Sequence, residues 1–287
     1  MAPATGHPLQ GRVWDRAAGA EITPETLLQR LHEADVTILG ETHDNSVHHA
    51  RQAWLIAGLA PSGVAFEMIP AASEKGIAVF REDGGRAAEI GPAIGWERLG
   101  WPDWALYRPI FEAAGDAVLT GGGVARAALG AAMREGAAVA YGRGAADLGL
   151  ERALPAYAQA AAEAEMMAAH CDLLPAESAG GMVEAQRLRD ASFAAATLRA
   201  REAGGGPVAL ITGNGHARTD RGVPVYLARV APELTLISLG QIETVEGRDD
   251  PADYAAAHAS GPDGLVYDYV WFSAGVPGRS DPCAVFQ

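Results

Sequence analysis

The segment VTILGETHDNSVHHARQAWLIAGLAPSGVAFEM, residues 36–68, decides the fold. Its first four residues, Val36 to Leu39, form a short apolar run between Asp35 and Gly40, the pattern of a strand covered on both faces. Asp44-Asn45-Ser46 then offers side-chain oxygens for an N-cap, and Val47 to Leu59 reads as a helix that stops before Pro61. Val64 to Phe66 is a second buried strand. Strand, helix and strand in so short a span favour a parallel sheet with a right-handed crossover.

The same grammar extends outward. A helical stretch, Pro24 to Ala34, precedes the first strand. From Ile69 to Gly115 the chain is punctuated by Pro70, Gly84-Gly85, Gly91-Pro92, Pro102 and Pro109 and carries Trp96, Trp101 and Trp104, which reads as helices joined by turns. Ala117 to Leu119 is a third strand running into Gly121 to Gly123, followed by an Ala-rich helix from Val124 to Arg134. Two long Ala-rich helices are expected from Glu151 to about Leu173 and from Met182 to about Glu202. Val208 to Thr212, Val225 to Leu227 and Thr235 to Leu239 read as strands, and Tyr267 to Phe272 as an edge strand or docked tail. The expectation is an α/β fold with a mostly parallel central sheet flanked by helices. It forms a single domain over residues 1–287, with a small helical subdomain inserted at about 142–206.

Charge and composition remove several classes of function. Lys and Arg number 22 against 36 Asp and Glu, a net charge of -14, so the surface field repels a phosphate backbone and nucleic acid is not expected as a partner. No apolar run is long enough to span a bilayer. The N-terminal MAPATGHPLQGRVWD shows neither a signal peptide nor a lipid-accepting cysteine, so membrane association is expected only through an anchor not present in this sequence. Cys171 and Cys283 are too few and too far apart for a disulfide framework or a CxxC zinc site.

Three polar clusters sit at the ends of expected strands: Glu41, His43, His48 and His49 after the first, Glu67 after the second, and Gly213-Asn214-Gly215-His216 after Val208 to Thr212. In open α/β sheets ligands collect at the carboxyl edge, so the clusters point to one site. Extended geometry puts Glu41 and His43 on one side of the chain, and His48 and His49 fall in the first turns of a helix, whose dipole favours neutral imidazole. Glu67 ends an apolar strand and must meet a polar partner. Arg218 could add charge beside the GNGH turn. On the expected 151–173 helix, Glu163, Met167 and His170 share a face, and across the hairpin Gln186, Arg187 and Asp190 read as a solvated polar stripe. There is no GxSxG, HExxH, GxxxxGK[ST] or strand-linked GxGxxG motif.

Taken together, LGETHDNSVHHARQ, Phe66-Glu67-Met68, WPDWALYRPIFEAA, a helical His170, AQRLRDASFA and ITGNGH resemble the ChaN-like haem-binding uptake proteins of the superfamily that includes Tiki proteases and erythromycin esterases. The resemblance covers about Gly11 to Gln241. It implies a bacterial haem-binding protein for iron uptake or storage, periplasmic or cell-envelope associated and lipoprotein-like. With no signal or lipobox in the sequence, a cytoplasmic location stays open. It further implies a homodimer in which a tyrosine phenolate ligates each haem iron and basic side chains hold the propionates, a hard anionic ligand suited to ferric haem held as cargo. Tyr107 is the first candidate ligand and Tyr157 the second, with His170, Arg108, Arg187 and Arg218 as further haem contacts. The alternative within the same superfamily is a hydrolase in which Glu41, His43, Glu67 and His216 bind a divalent metal or activate water, with Glu41, His43, His48 and His49 as a further candidate metal cluster.

Overall fold

The structure is a computed structural model that describes residues 6–258, 265–280 and 283. An N-terminal hairpin, β1 (Val13–Asp15) and β2 (Ala20–Ile22), leads into α1 (Pro24–Leu31), β3 (Val36–Glu41), α2 (Ser46–Leu59) and β4 (Gly63–Pro70). Helices α3 (Glu74–Glu82), α4 (Ile90–Ile94) and α5 (Trp104–Ala114) fill the irregular stretch before β5 (Val118–Gly123). Then come α6 (Arg126–Glu135), α7 (Ala137–Tyr141) and the hairpin of α8 (Ala156–Ala169) and α9 (Ala179–Gly204). The chain closes with β6 (Val208–Gly213), α10 (Asn214–Ala217), α11 (Val223–Val230), β7 (Leu236–Glu243), α12 (Pro251–His258) and β8 (Tyr269–Ser273).

The strands form one eight-stranded sheet in the order β2-β1-β8-β7-β3-β6-β4-β5. All pairings from β8 to β5 are parallel, and the β1–β2 hairpin adds antiparallel at one side. This is the expected α/β architecture. Helices cover both faces. One apolar layer packs Leu188, Phe193, Leu227 and Phe272 on one side of the sheet, and the other packs Leu55, Ile56, Phe66, Tyr107 and Phe111, with Phe66 stacked on Phe111 at 4.2 Å between ring centroids. Burial on both faces accounts for the non-alternating apolar sequences of β3, β4 and β6.

Several elements differ from the sequence reading. Val225 to Leu227 lies inside helix α11, with Gly222 before it and Pro224 in its first turn; a short apolar run does not by itself tell helix from strand. The C-terminal strand is interior, between β7 and β1, because the short N-terminal hairpin supplies the sheet edge instead. Helix α8 is shorter than expected, bounded by Pro155 and by positive φ at Cys171 and Asp172. Those two turn residues bring Cys171 to Cys283 in a disulfide across 112 residues of sequence. Among the described residues no helix is long and apolar enough to cross a membrane.

Candidate functional site

β6 lies between β3 and β4, and the register sets Glu41 level with Gly213 and Phe66 level with Ile211, so Glu41 and Glu67 flank the end of β6 from either side. After β3 the chain turns into α2, which is capped by Asn45: its Oδ1 accepts from the Val47 N–H at 3.0 Å while its Nδ2 donates to Glu243 at 2.7 Å. That turn swings His43 back over the sheet edge. A Cβ at Gly213 would lie 3.0 Å from His43 Nε2, so glycine gives the ring its seat.

Glu41 is 2% exposed. Its Oε1 accepts from the Tyr107 hydroxyl at 2.8 Å and meets His43 Nδ1 at 2.9 Å, while Oε2 stands 3.1 Å from His49 Nε2. Burial alone would raise its pKa, but the hydrogen bonds and charges of His43 and His49 outweigh that and hold it near 2. Burial likewise pulls His43 down, and Glu41 and Glu67 carry it up to about 9, leaving His43 protonated at neutral pH. The edge of Trp101 packs on its ring at 5.0 Å.

Glu67 Oε2 accepts from the Thr212 hydroxyl at 2.7 Å and the Gly213 N–H at 2.8 Å. Its Oε1 is left facing two imidazoles, His216 Nε2 at 3.5 Å and His43 Nε2 at 4.0 Å. Burial raises the Glu67 pKa, and the two histidines and the two donors bring it below the ordinary carboxylate value. His216 Nδ1 is held by Asp190 Oδ1 of α9 at 2.6 Å. Desolvation lowers the His216 pKa, but Glu67 and Asp190 together raise it. Each histidine is thus oriented through Nδ1 by a buried carboxylate and turns Nε2 toward one shared oxygen.

The structure brings Glu41, His43, Glu67 and His216 into one chain of contacts, as the three-cluster argument expects. It adds Asp190, which the sequence placed on a solvated stripe; Asp190 is 3% and Arg187 7% exposed. Asp190 is buried because α9 packs against β4, β5 and β6, whereas the sequence reading placed this helix in an inserted hairpin away from the sheet. The expected His48 and His49 ligands are separated from one another in role. His48 Nδ1 accepts from the Thr42 N–H at 2.9 Å and Nε2 pairs with Ser273 Oγ at 2.7 Å, so both nitrogens are occupied. Burial and the nearby Arg51 cation push its pKa down to about 4. His49 stacks on Tyr107 with ring centroids 4.3 Å apart. Among the described residues no three His, Cys, Asp or Glu side chains form a ready metal-ligand set.

The candidate haem residues are scattered. Tyr107 is fully buried, packed between His49 and Trp96 and bonded to Glu41. Burial and then the Glu41 charge push its pKa far above that of a free phenol, so both oppose a phenolate here. Trp96, Trp101 and Trp104 are committed to Pro102, Met68 and Ala88 carbonyls through their indole N–H groups. Tyr107, the first candidate ligand, is therefore closed off from solvent in this structure. Arg187 is buried against Glu184 and the Leu150 and Arg152 carbonyls, and Arg218 against Asp220 and Glu165, so neither is presented to solvent. Arg108 is exposed on α5 beside Glu112, and His170 is exposed at the end of α8, its Nδ1 on the Met166 carbonyl. Tyr157, in the first turn of α8, is 61% exposed and has no hydrogen-bond partner among the described residues.

The carboxyl edge of the mostly parallel sheet thus carries His43 and His216 beside the two buried glutamates Glu41 and Glu67. The chain belongs to the haem-binding uptake family of the Tiki superfamily, ChaN, whose profile matches residues 27–227. The solved structure of ChaN of Campylobacter jejuni, described with cofacial haem binding, superposes with a TM-score of 0.67 at 17% identity, covering 92% of this chain and 97% of that one. The type III effector HopBA1 aligns at 10% identity with a TM-score of 0.48, covering 96% of this chain and 99% of that one. No curated protein matches the sequence.

Proposed function

We propose that this protein binds haem for uptake or storage, with the iron ligated by the phenolate of Tyr157. The observation that carries this reading is the exposure of Tyr157 on the helical hairpin of a chain that belongs to a haem-binding family. Tyrosinate is a hard anionic ligand matched to ferric iron, and an exposed phenol is open to the metal. Met133, Val139 and Leu173, on or next to α6, α7 and α8, also expose much of their apolar surface. Such exposure supports burial of the porphyrin against a second copy of the chain, making a homodimer. Exposed Arg152, five residues before Tyr157, then replaces Arg187 and Arg218 as the propionate partner. The Cys171–Cys283 bond supports a cell-envelope location, where disulfides persist.

The test is a hemin titration followed by absorption and sedimentation. The wild type is expected to give a high-spin ferric spectrum with a phenolate charge-transfer band and to dimerise with hemin. Tyr157→Phe loses the band and Tyr107→Phe keeps it. Loss of the band in Tyr107→Phe alone, or no saturable binding by the wild type, overturns the reading.

A second reading is favoured by one observation, the convergence of His43 Nε2 and His216 Nε2 on Glu67 Oε1. Carboxylate-oriented imidazoles of this kind commonly bind a divalent cation or guide a water, and we infer a hydrolytic role for Glu41, His43, Glu67 and His216 as the alternative. In the free protein His43 is cationic and would act as a proton donor, with Glu67 as the base. Metal analysis after zinc loading and esterase and peptidase panels test it. Absence of both metal and turnover, with His43→Ala binding hemin normally, removes this reading.

A further inference from the structure

Between α8, α9 and the turn after β6 lies a cavity distinct from the exposed face of Tyr157. Its walls are apolar at Ala162, Met166 and Val183, and its floor is polar at Arg187, Asp190 and Arg221. About 50 Å³ is open to the centres of water-sized groups, a few times what a single water needs. The two guanidinium groups are incompletely paired. Arg187 donates Nη1 to Glu184 at 2.7 Å and Nη2 to the Leu150 and Arg152 carbonyls at 2.9 and 2.6 Å, while its Nε is buried with no acceptor among the described residues. The Tyr226 hydroxyl is a neighbour of this guanidinium but takes no well-directed hydrogen bond from Nε. Arg221 donates Nη2 to Glu165, and its Nη1 is buried and likewise without an acceptor.

A buried polar group left without its hydrogen bond costs about 1–3 kcal/mol, and more when charged. Native folds leave few such groups, and both of these belong to arginines that line one cavity, which points to an acceptor supplied from outside the chain. The cavity already holds the Asp190 and Glu165 carboxylates, so a monoanion suits its charge balance better than a phosphate dianion. The planar fork of a guanidinium matches a carboxylate in geometry. We propose that this cavity binds the carboxylate of a small amphiphilic acid, its oxygens accepting from Arg187 Nε and Arg221 Nη1 and its short aliphatic stem lying against Met166 and Val183. The inference goes beyond the haem reading and does not depend on it. The site adjoins the His216–Asp190 pair through Asp190 itself.

Butyrate is the probe, with butanol and butylammonium as controls at equal ionic strength, and binding to the full chain is read by saturation-transfer NMR and by the shift of the thermal midpoint. Saturable binding of butyrate but not of the controls is expected. Arg221→Gln should weaken it roughly tenfold or more, the loss expected of one hydrogen bond to a charged group. Met166→Trp, which fills the cavity while keeping both arginines in the chain, should abolish it, and it carries the test if Arg221→Gln does not fold. No saturable response, or equal binding by both variants and the wild type, overturns the proposal and leaves water as the only occupant. Hemin titration of Arg221→Gln separates the sources of the carboxylate. An unchanged hemin affinity assigns the site to a free acid, and a parallel fall assigns it to a porphyrin propionate.

Discussion

Tyr107 and Glu41, 66 residues apart in the chain, are joined by a 2.8 Å hydrogen bond at a point where both side chains are closed off from solvent. The bond fixes α5 to the end of β3 and makes Tyr107 a hydrogen-bond donor to Glu41. Tyr107→Phe should keep the packing but leave Glu41 with one donor fewer, costing about 1–3 kcal/mol. Urea unfolding measures the loss, and a hemin spectrum that keeps its charge-transfer band separates this structural role from iron ligation.

Stability should fall on both sides of neutrality. His48 is held near 4 in the folded protein against 6.5 for a free imidazole, so below pH 6.5 the unfolded chain takes up a proton that the folded one refuses. The resulting loss develops as pH falls from 6.5 to 4 and reaches about 3 kcal/mol. His43 acts in the opposite direction: its pKa is raised to about 9, so its contribution is complete below 6.5 and is lost as pH rises toward 9. Urea midpoints between pH 4 and 9 should therefore peak near 6.5 to 7. His48→Gln should flatten only the acid limb; an unchanged acid limb would show that other groups carry it.

Gly40 and Gly213 should respond differently to the same substitution. A Cβ at Gly40 would come within 2.5 Å of Asn214 Oδ1 and 2.9 Å of the Leu239 carbonyl, whereas at Gly213 it meets the His43 ring at 3.0 Å. Backbone of the sheet cannot yield as a side chain can. Gly40→Ala should cost about 3 kcal/mol and Gly213→Ala about 1 kcal/mol, the range of overpacking penalties. Thermal denaturation ranks them, and the His43 imidazole signal in NMR should move in Gly213→Ala.

Arg51 ties α2 to the last strand, donating to the Trp271 and Phe272 carbonyls at 3.3 and 2.9 Å and lying 4.3 Å over the Trp271 ring. A lysine keeps the charge but cannot fork between two carbonyls while covering the ring. Arg51→Lys should lose about 1–2 kcal/mol in urea unfolding, with no change in hemin binding. Stability equal to that of the wild type would place the anchoring of α2 elsewhere.

The strands that build the site were legible because they are buried on both faces and therefore apolar throughout, and their polar ends marked the site edge before any contact was known. Sequence order carried less about partners. Tyr107 sits in a motif rich in tryptophan, and a motif states which residues recur without stating which way they face. Asp190 appeared as one member of a polar stripe because helical periodicity gives a face but not what covers it. The β1–β2 hairpin consists of strands of three residues, too short to leave an alternating pattern. Val225 to Leu227 is apolar enough for either state, and only the helix start at Gly222 and Pro224 decides it.

The bond between Cys171 and Cys283 closes a covalent ring that contains α9 and the strands β6, β7 and β8. A single peptide cut anywhere inside that ring leaves one molecule, not two. A protease that nicks the chain between α9 and β8 would yield a single species, heavier by one water under oxidising conditions, that parts into two fragments only when the sulfurs are reduced. In a compartment rich in proteases, the His216 side of the site would stay joined to the α8 end of the hairpin even after the chain between them was broken.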